Sequence, residues 1–204
     1  MTSTLIENLE QAAQIAKEGR ASPLLGGEIG LTWTILATIA LMAHGAIISG
    51  WTPLNPNFVG LVWLVYGVTG LLITAILARR LNNMSSASCT LTNQASRATW
   101  VSSGHVIVVV VMSIIVAINV NDYSFDLFNV IVPLAFSLAT LSYAVLAKLT
   151  GQGYLRFAAI LSGSAASVTL MIIHEPHMYF VAGILLFISG VIPSVIEIRK
   201  AQTA

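Results

Sequence analysis

Residues 99–120 read TWVSSGHVIVVVVMSIIVAINV and contain no Asp, Glu, Lys or Arg. A helix needs about 20 mainly apolar residues to cross the roughly 30 Å of hydrocarbon in a bilayer. The segment therefore predicts a membrane-spanning helix. Five further mainly apolar runs of similar length occur in the chain: 31–50, 58–78, 127–147, 155–173 and 179–198. Together the six runs predict an all-α polytopic membrane protein, with the spans arranged as three hairpins.

The composition supports the same class. Hydrophobic residues make up 56% of the chain and charged residues only 8%, whereas a soluble domain carries about 25% charged residues. We expect a six-helix transmembrane domain at 28–204, surrounded by the lipid bilayer. The net charge is +1 and basic residues form no run, so a nucleic-acid partner is not expected. The single cysteine, Cys89, excludes an intrachain disulfide.

Charge is distributed unevenly between the loops. All nine basic residues precede span 1, follow span 6, or lie between spans 2 and 3 or spans 4 and 5: Lys17, Arg20, Arg79, Arg80, Arg97, Lys148, Arg156, Arg199 and Lys200. The other three loops carry Asp122, Asp126 and Glu175 instead. Basic loops stay in the cytoplasm by the positive-inside rule. The pattern predicts a multi-pass protein of the plasma (inner) membrane with both termini cytoplasmic.

The segment 1–27 predicts a cytoplasmic amphipathic helix followed by a linker. Thr4 and Glu7 have the spacing of a capping box, and Leu5 and Leu9 begin an apolar face. Pro23 and the glycines after it should separate this helix from span 1. Its apolar face can lie on the membrane surface, or dock on the cytoplasmic loops or on a partner; both alternatives stay open.

Small residues mark candidate faces for close helix packing. In span 5 they form two small-xxx-small pairs, and in span 6 two glycines seven residues apart share one helix face. The packing candidates are Ser162, Gly163, Ala166, Ser167, Gly183 and Gly190. Span 2 repeats the seven-residue step with Gly60 and Gly67.

A family resemblance rests on these glycines. Residues 183–191 read GILLFISGV, which resembles the Gly-x-Leu-Leu-x-x-Ser-Gly-Ile signature of the HdeD-like small acid-resistance membrane proteins. Gly60 and Gly67 match part of this signature, and span 4, with Pro133 and no glycine, departs from it. The resemblance implies six spans in three hairpins and a link to acid tolerance. It implies no catalytic residues.

Histidines are the main polar feature inside the spans, because no charged residue lies in the middle of any of them. With about 1.5 Å of rise per residue, His44 and His105 should lie about 12 Å apart in depth, too far to share a metal or haem. His174, Glu175 and His177 form an outer group within reach of His44, but Pro176 prevents helical spacing of ligands. We therefore expect no metal or other cofactor. These five residues are candidates for pH sensing or for polar contacts within the membrane: His44, His105, His174, Glu175 and His177.

Two functional hypotheses follow. The first is a non-enzymatic accessory or stress-related subunit that acts by helix–helix association, as a homo-oligomer or with another membrane protein. The second is a small channel or carrier for a neutral or weakly polar solute, lined by the span 5 serines, Thr69, Thr74 and the two intramembrane histidines. An enzyme is not expected, because no nucleophile and base lie at a common depth.

Overall fold

The computed structural model describes residues 24–84 and 90–203, with the backbone alone for 81–84. Six helices in these ranges are long and apolar enough to cross a membrane. They are α1 (Gly27–Ile48), α2 (Phe58–Met84), α3 (Leu91–Asn121), α4 (Ile131–Thr150), α5 (Gly153–Met171) and α6 (Met178–Thr203). The predicted all-α polytopic architecture is confirmed. The predicted amphipathic helix and Cys89 lie outside the described residues.

Local chemistry explains the bounds of α3 and α4. The Thr90 hydroxyl accepts a hydrogen bond from the backbone N–H of Asn93 at 3.3 Å, which caps the start of α3. Asp122 ends the same helix in a left-handed conformation, with φ at 54°. Gly151 ends α4 with φ at 71°, where a side chain would be strained. Because of the Thr90 cap, α3 begins before the apolar segment from which it was predicted.

Helices α1 and α6 pack closely along most of their length. They are antiparallel, and glycine lies at each close approach between them. From one end to the other the facing pairs are Gly27 and Glu197, Gly30 and Ser194, Thr34 and Gly190, Met42 and Gly183, and Gly45 and Phe180. The first and last spans of the chain are therefore neighbours over most of their length.

The remaining helices extend this pair on both sides. Helix α5 packs beside α6, and α4 packs closely along α5. Helix α2 packs on the outer side of α1, and α3 packs on α4 and on a short 3₁₀ helix, Phe125–Val130, that leads into α4. The neighbours thus run α2, α1, α6, α5, α4, α3, with α2 and α3 on the flanks.

Two apolar clusters fill the four central helices. One lies where α4 and α5 meet, and contains Leu24, Tyr143, Leu146, Ala147, Leu155, Ala158 and Ala159. The other joins α1, α4, α5 and α6, and contains Leu41, Val132, Phe136, Ala165, Met178, Tyr179 and Ala182. Leu24 reaches the first cluster from the segment before α1, where the backbone N–H of Leu25 donates to Asn93 Oδ1 at 3.0 Å. This bond ties the start of α1 to the start of α3.

Two prolines affect their helices in different ways. Pro193 follows a π-helical turn, Phe187–Val191, that interrupts α6. Proline has no N–H to donate to the carbonyl one turn earlier, and a π turn accommodates that loss. Pro133, in contrast, lies in the first turn of α4, directly after the 3₁₀ helix Phe125–Val130. Pro133 thus stands where the chain changes from 3₁₀ to α geometry.

The two ends of the bundle differ in charge. We call one end the basic end, which carries Arg79, Arg80, Arg97, Lys148, Arg156, Arg199 and Lys200. The opposite, acidic end carries Asp122, Asp126 and Glu175. At the basic end Arg80 Nη1 lies 3.9 Å from Glu28 Oε2. The Lys200 ammonium donates to Gln152 Oε1 at 3.0 Å.

Candidate functional site

The candidate site surrounds His44, in the half of the bundle nearer the acidic end. Its side chain is 8% exposed. The indole Nε1–H of Trp63 on α2 donates to His44 Nδ1 at 3.1 Å. The imidazole also lies against the ring of Tyr179 on α6, with 3.6 Å between ring centroids and 30° between the planes. His44 thus connects three helices.

Tyr179 continues the polar chain toward α4 and α5. Its hydroxyl donates to Asn129 Oδ1 in the 3₁₀ helix. The Asn129 amide in turn donates to the backbone carbonyl of Ile173, just after α5, at 3.1 Å. Trp63, His44, Tyr179 and Asn129 thus form one continuous network, which we call the outer network. Through it, side chains from four helical elements are joined, namely α1, α2, α6 and the 3₁₀ helix.

The hydrogen bond from Trp63 fixes the chemistry of His44. An indole N–H can only donate, so Nδ1 must be the accepting nitrogen and the neutral ring carries its proton on Nε2. A doubly protonated imidazole has no acceptor and would lose this bond. The arrangement uses His44 to hold helices together, with its basic nitrogen already occupied.

The other predicted histidines are not part of this network. His174, Glu175 and His177 are exposed in the connection between α5 and α6. His105 is exposed on α3, where its Nδ1 lies 2.8 Å from the carbonyl oxygen of Val101. In the ranges 24–84 and 90–203 no group of three or more His, Cys, Asp or Glu residues is placed to hold a metal ion.

The small residues of α5 point in different directions. Ser162 is buried, and its hydroxyl has no hydrogen-bond partner among the described residues. Gly163 faces Thr140 on α4, which would lie 3.5 Å from an added Cβ, an ordinary contact distance. Ala166 is half-buried, and Ser167 is exposed and donates to the carbonyl of Gly163 at 3.2 Å.

The glycines of α6 lie much closer to their neighbours. A Cβ at Gly183 would lie 2.9 Å from Met42 Cε. At Gly190 it would lie 2.6 Å from both Cγ2 and Oγ1 of Thr34. Helix packing this tight needs glycine, because real Cβ atoms essentially never approach so closely.

The glycines of α2 are not equivalent to those of α6. Gly60 and Gly67 have nothing within 4 Å of an added Cβ among the residues described. Gly70, which the sequence does not single out, lies against the ring of Trp33 from α1, since an added Cβ would lie 2.5 Å from Trp33 Cη2. The Trp33 indole N–H then donates to Thr74 Oγ1 at 2.8 Å. Two indole hydrogen bonds therefore join α2 to α1: Trp63 to His44 nearer the acidic end, and Trp33 to Thr74 nearer the basic end.

A small pocket between α5 and α6, about 40 Å³ in volume, is partly open to the surface of the bundle. Its lining is apolar apart from Tyr154 and Ser189. All of its lining residues lie from about the middle of α5 and α6 toward the basic end.

The network residues Trp63, Tyr179 and Asn129 do not stand out in the sequence as site residues. The one signal for Asn129 is an amide within the otherwise apolar start of span 4. Trp63 lies deeper in its span than an interfacial aromatic belt requires. Tyr179 has the sequence position of a belt residue, and only the fold brings its ring onto His44.

No protein-family model, curated protein or solved structure matches this chain. The fold alone therefore defines its class. It is an integral membrane protein with six spans.

Proposed function

We propose that this protein acts by association with other membrane helices, as a non-enzymatic accessory subunit. The observation that carries the proposal is the exposure of the flanking helices. The main contacts of α2 are with α1, and those of α3 are with α4 and the 3₁₀ helix. Large apolar side chains on both flanking helices are exposed, among them Leu71 and Leu72 on α2 and Val108 and Val109 on α3, where lipid or another protein can contact them.

The central four helices support this proposal over a channel or carrier. The contacts described between them are apolar clusters and close glycine approaches, both typical of a packed bundle centre. Of the side chains suggested as a channel lining, Ser164 and Ser167 are exposed on the surface of the bundle. Thr74 accepts a hydrogen bond from Trp33.

The outer network supports a non-enzymatic role. A general base needs a free lone pair within hydrogen-bond reach of its substrate. His44 Nδ1 is occupied by Trp63, and the ring is covered by Tyr179. The network therefore favours a structural function for this histidine.

Orientation and biological setting follow from charge and resemblance. The basic end would face the cytoplasm of the plasma (inner) membrane by the positive-inside rule. The HdeD-like resemblance of 183–191 is the basis for proposing a role in acid stress, and His174 and His177 are exposed histidines at the acidic end.

A photo-crosslinking experiment in native membranes tests the proposal. A photoreactive residue replaces Leu71 on α2 or Val109 on α3, which are 66% and 63% exposed. The matched control replaces Leu146, which is fully buried in α4. We expect protein adducts from the two exposed positions and intrachain products from the control.

Crosslinks to lipid alone at both exposed positions would overturn association. The channel alternative is tested separately with purified protein in liposomes. Neutral solutes should enter no faster than they enter protein-free liposomes, and rapid entry would favour the channel.

A further inference from the structure

The face of α3 that points away from α4 carries polar residues, with His105 inside the bilayer and Asn119 near the acidic end of the span. Ser103 lies on the face of α3 that packs on α4, since its hydroxyl lies 3.1 Å from that of Ser142 on α4. At about 100° per residue, His105 lies about 200° around the helix from Ser103. Met112 and Asn119 follow at steps of seven residues, which return to nearly the same face. All three side chains are exposed.

His105 has an unused acceptor on this face. Its Nδ1 must donate to the Val101 carbonyl, 2.8 Å away, because a carbonyl only accepts. The neutral ring then directs the lone pair of Nε2 outward, about 7 Å from the middle of the predicted span. Ionisable residues at such depth nearly always face a bundle interior or a polar partner, since hydrocarbon offers no hydrogen bond.

Donors and acceptors of matching kind lie on the same helix. Ser102 is exposed one turn nearer the basic end and carries a hydroxyl. Asn119 donates one amide hydrogen to the Ile115 carbonyl at 2.7 Å, which leaves its own Oδ1 and its second N–H available to a partner. Between these polar levels runs a shallow groove, lined by Val108, Val109, Met112, Ser113, Val116, Ala117 and Asn121.

We propose that this face of α3 binds a second copy of the chain in a parallel homodimer. Two copies inserted in the same orientation bring identical residues to the same depth. Asn119 can then pair with Asn119 of its partner, and His105 Nε2 can accept from the partner's Ser102 hydroxyl. A two-fold axis along the membrane normal makes each contact reciprocal. A lipid tail offers neither donor nor acceptor.

This inference rests on the proposed function and specifies its partner. Disulfide trapping in proteoliposomes tests the contact. In a Cys89→Ser background, Met112→Cys is compared with Val68→Cys on α2, because these residues are similarly exposed at 55% and 51%. We expect oxidation to convert Met112→Cys into dimer at least about tenfold faster than the control. Equal rates would mean random collision and would overturn the dimer.

The polar contacts are tested by measuring dimer affinity in detergent by sedimentation equilibrium. His105→Leu should raise the dissociation constant about tenfold, the effect expected when weak interhelical hydrogen bonds are lost. His174→Leu, on the exposed connection between α5 and α6, is the matched control and should leave it unchanged. The melting temperature of the monomer should be the same for both variants, because neither side chain packs inside the bundle.

A chain that stays monomeric at every protein-to-detergent ratio would overturn the homodimer. Photo-crosslinking then separates this failure from failure of the proposed function. Adducts between Val109 and a different protein would overturn only the choice of partner. Adducts with lipid alone from both α2 and α3 would overturn association as well.

Discussion

Gly190 is the residue at which α6 depends most on the absence of a side chain. An added Cβ would meet two atoms of Thr34, and Thr34 cannot move freely, because it is buried and its hydroxyl donates to the Gly30 carbonyl at 2.8 Å. A β-branched side chain in a helix also has one or two accessible rotamers at most. The contact therefore cannot relax by rotation of Thr34 alone.

We predict that Gly190→Ala destabilises the detergent-solubilised protein by about 1–3 kcal/mol through overpacking. Gly163→Ala is the matched control, because its new methyl would lie 3.5 Å from Thr140 and should be tolerated. Thermal unfolding of the two variants provides the comparison. Equal melting temperatures would mean that α1 and α6 are less tightly apposed than the structure indicates.

Helix α2 is joined to the bundle chiefly through two indole hydrogen bonds. Trp33 donates from α1 to Thr74, and Trp63 donates from α2 back to His44. The ring of Tyr66 also contacts the rings of Trp33 and Trp63 edge to face. The centroid distances are 5.3 Å to Trp33 and 5.4 Å to Trp63. Indole hydrogen bonds and aromatic ring contacts thus attach α2 to α1, whereas α6 packs on α1 through glycine contacts.

A double-mutant cycle tests this attachment. Trp63→Phe should cost about 1 kcal/mol, because it leaves the buried His44 Nδ1 without a donor. His44→Phe in the Trp63→Phe background should cost less than in the wild type, since both partners are then apolar. Unfolding free energies of the four proteins give the coupling, and additive effects would indicate that the hydrogen bond contributes nothing.

The bundle presents opposite charges at its two ends, and this asymmetry predicts its orientation. In a Cys89→Ser background, Asn55→Cys at the acidic end should react with a membrane-impermeant thiol reagent on intact cells. Leu149→Cys at the basic end should react only after the membrane is opened. Labelling of Leu149→Cys in intact cells would reverse the proposed orientation.

Sequence reasoning predicts the six spans because a bilayer requires a minimum apolar length, which can be counted residue by residue. It does not predict which helix contacts which. Side chains that face lipid and side chains that face another helix are similarly apolar, so hydropathy does not distinguish them. The glycine step of Gly183 and Gly190 indicates a packing face but not that α1 covers it. The serines of span 5 look alike in sequence, yet Ser162 is buried and Ser167 exposed.

The outer network is still less accessible to sequence reasoning. Trp63, His44, Tyr179 and Asn129 lie in four different segments and meet only when the bundle is assembled. Each is an ordinary residue for a membrane span when taken alone. Hydrogen bonds between helices depend on rotation and depth, and neither is specified by composition.

The pairing of α1 with α6 has a consequence for biosynthesis. Helices emerge from the ribosome in chain order, so α1 must wait until the rest of the chain has been made before its glycine-lined face meets α6. Contacts between residues so distant in sequence form late and slow folding. A nascent chain that stops before α6 would expose faces on both α1 and α5 to lipid, and would be a natural substrate for membrane quality control.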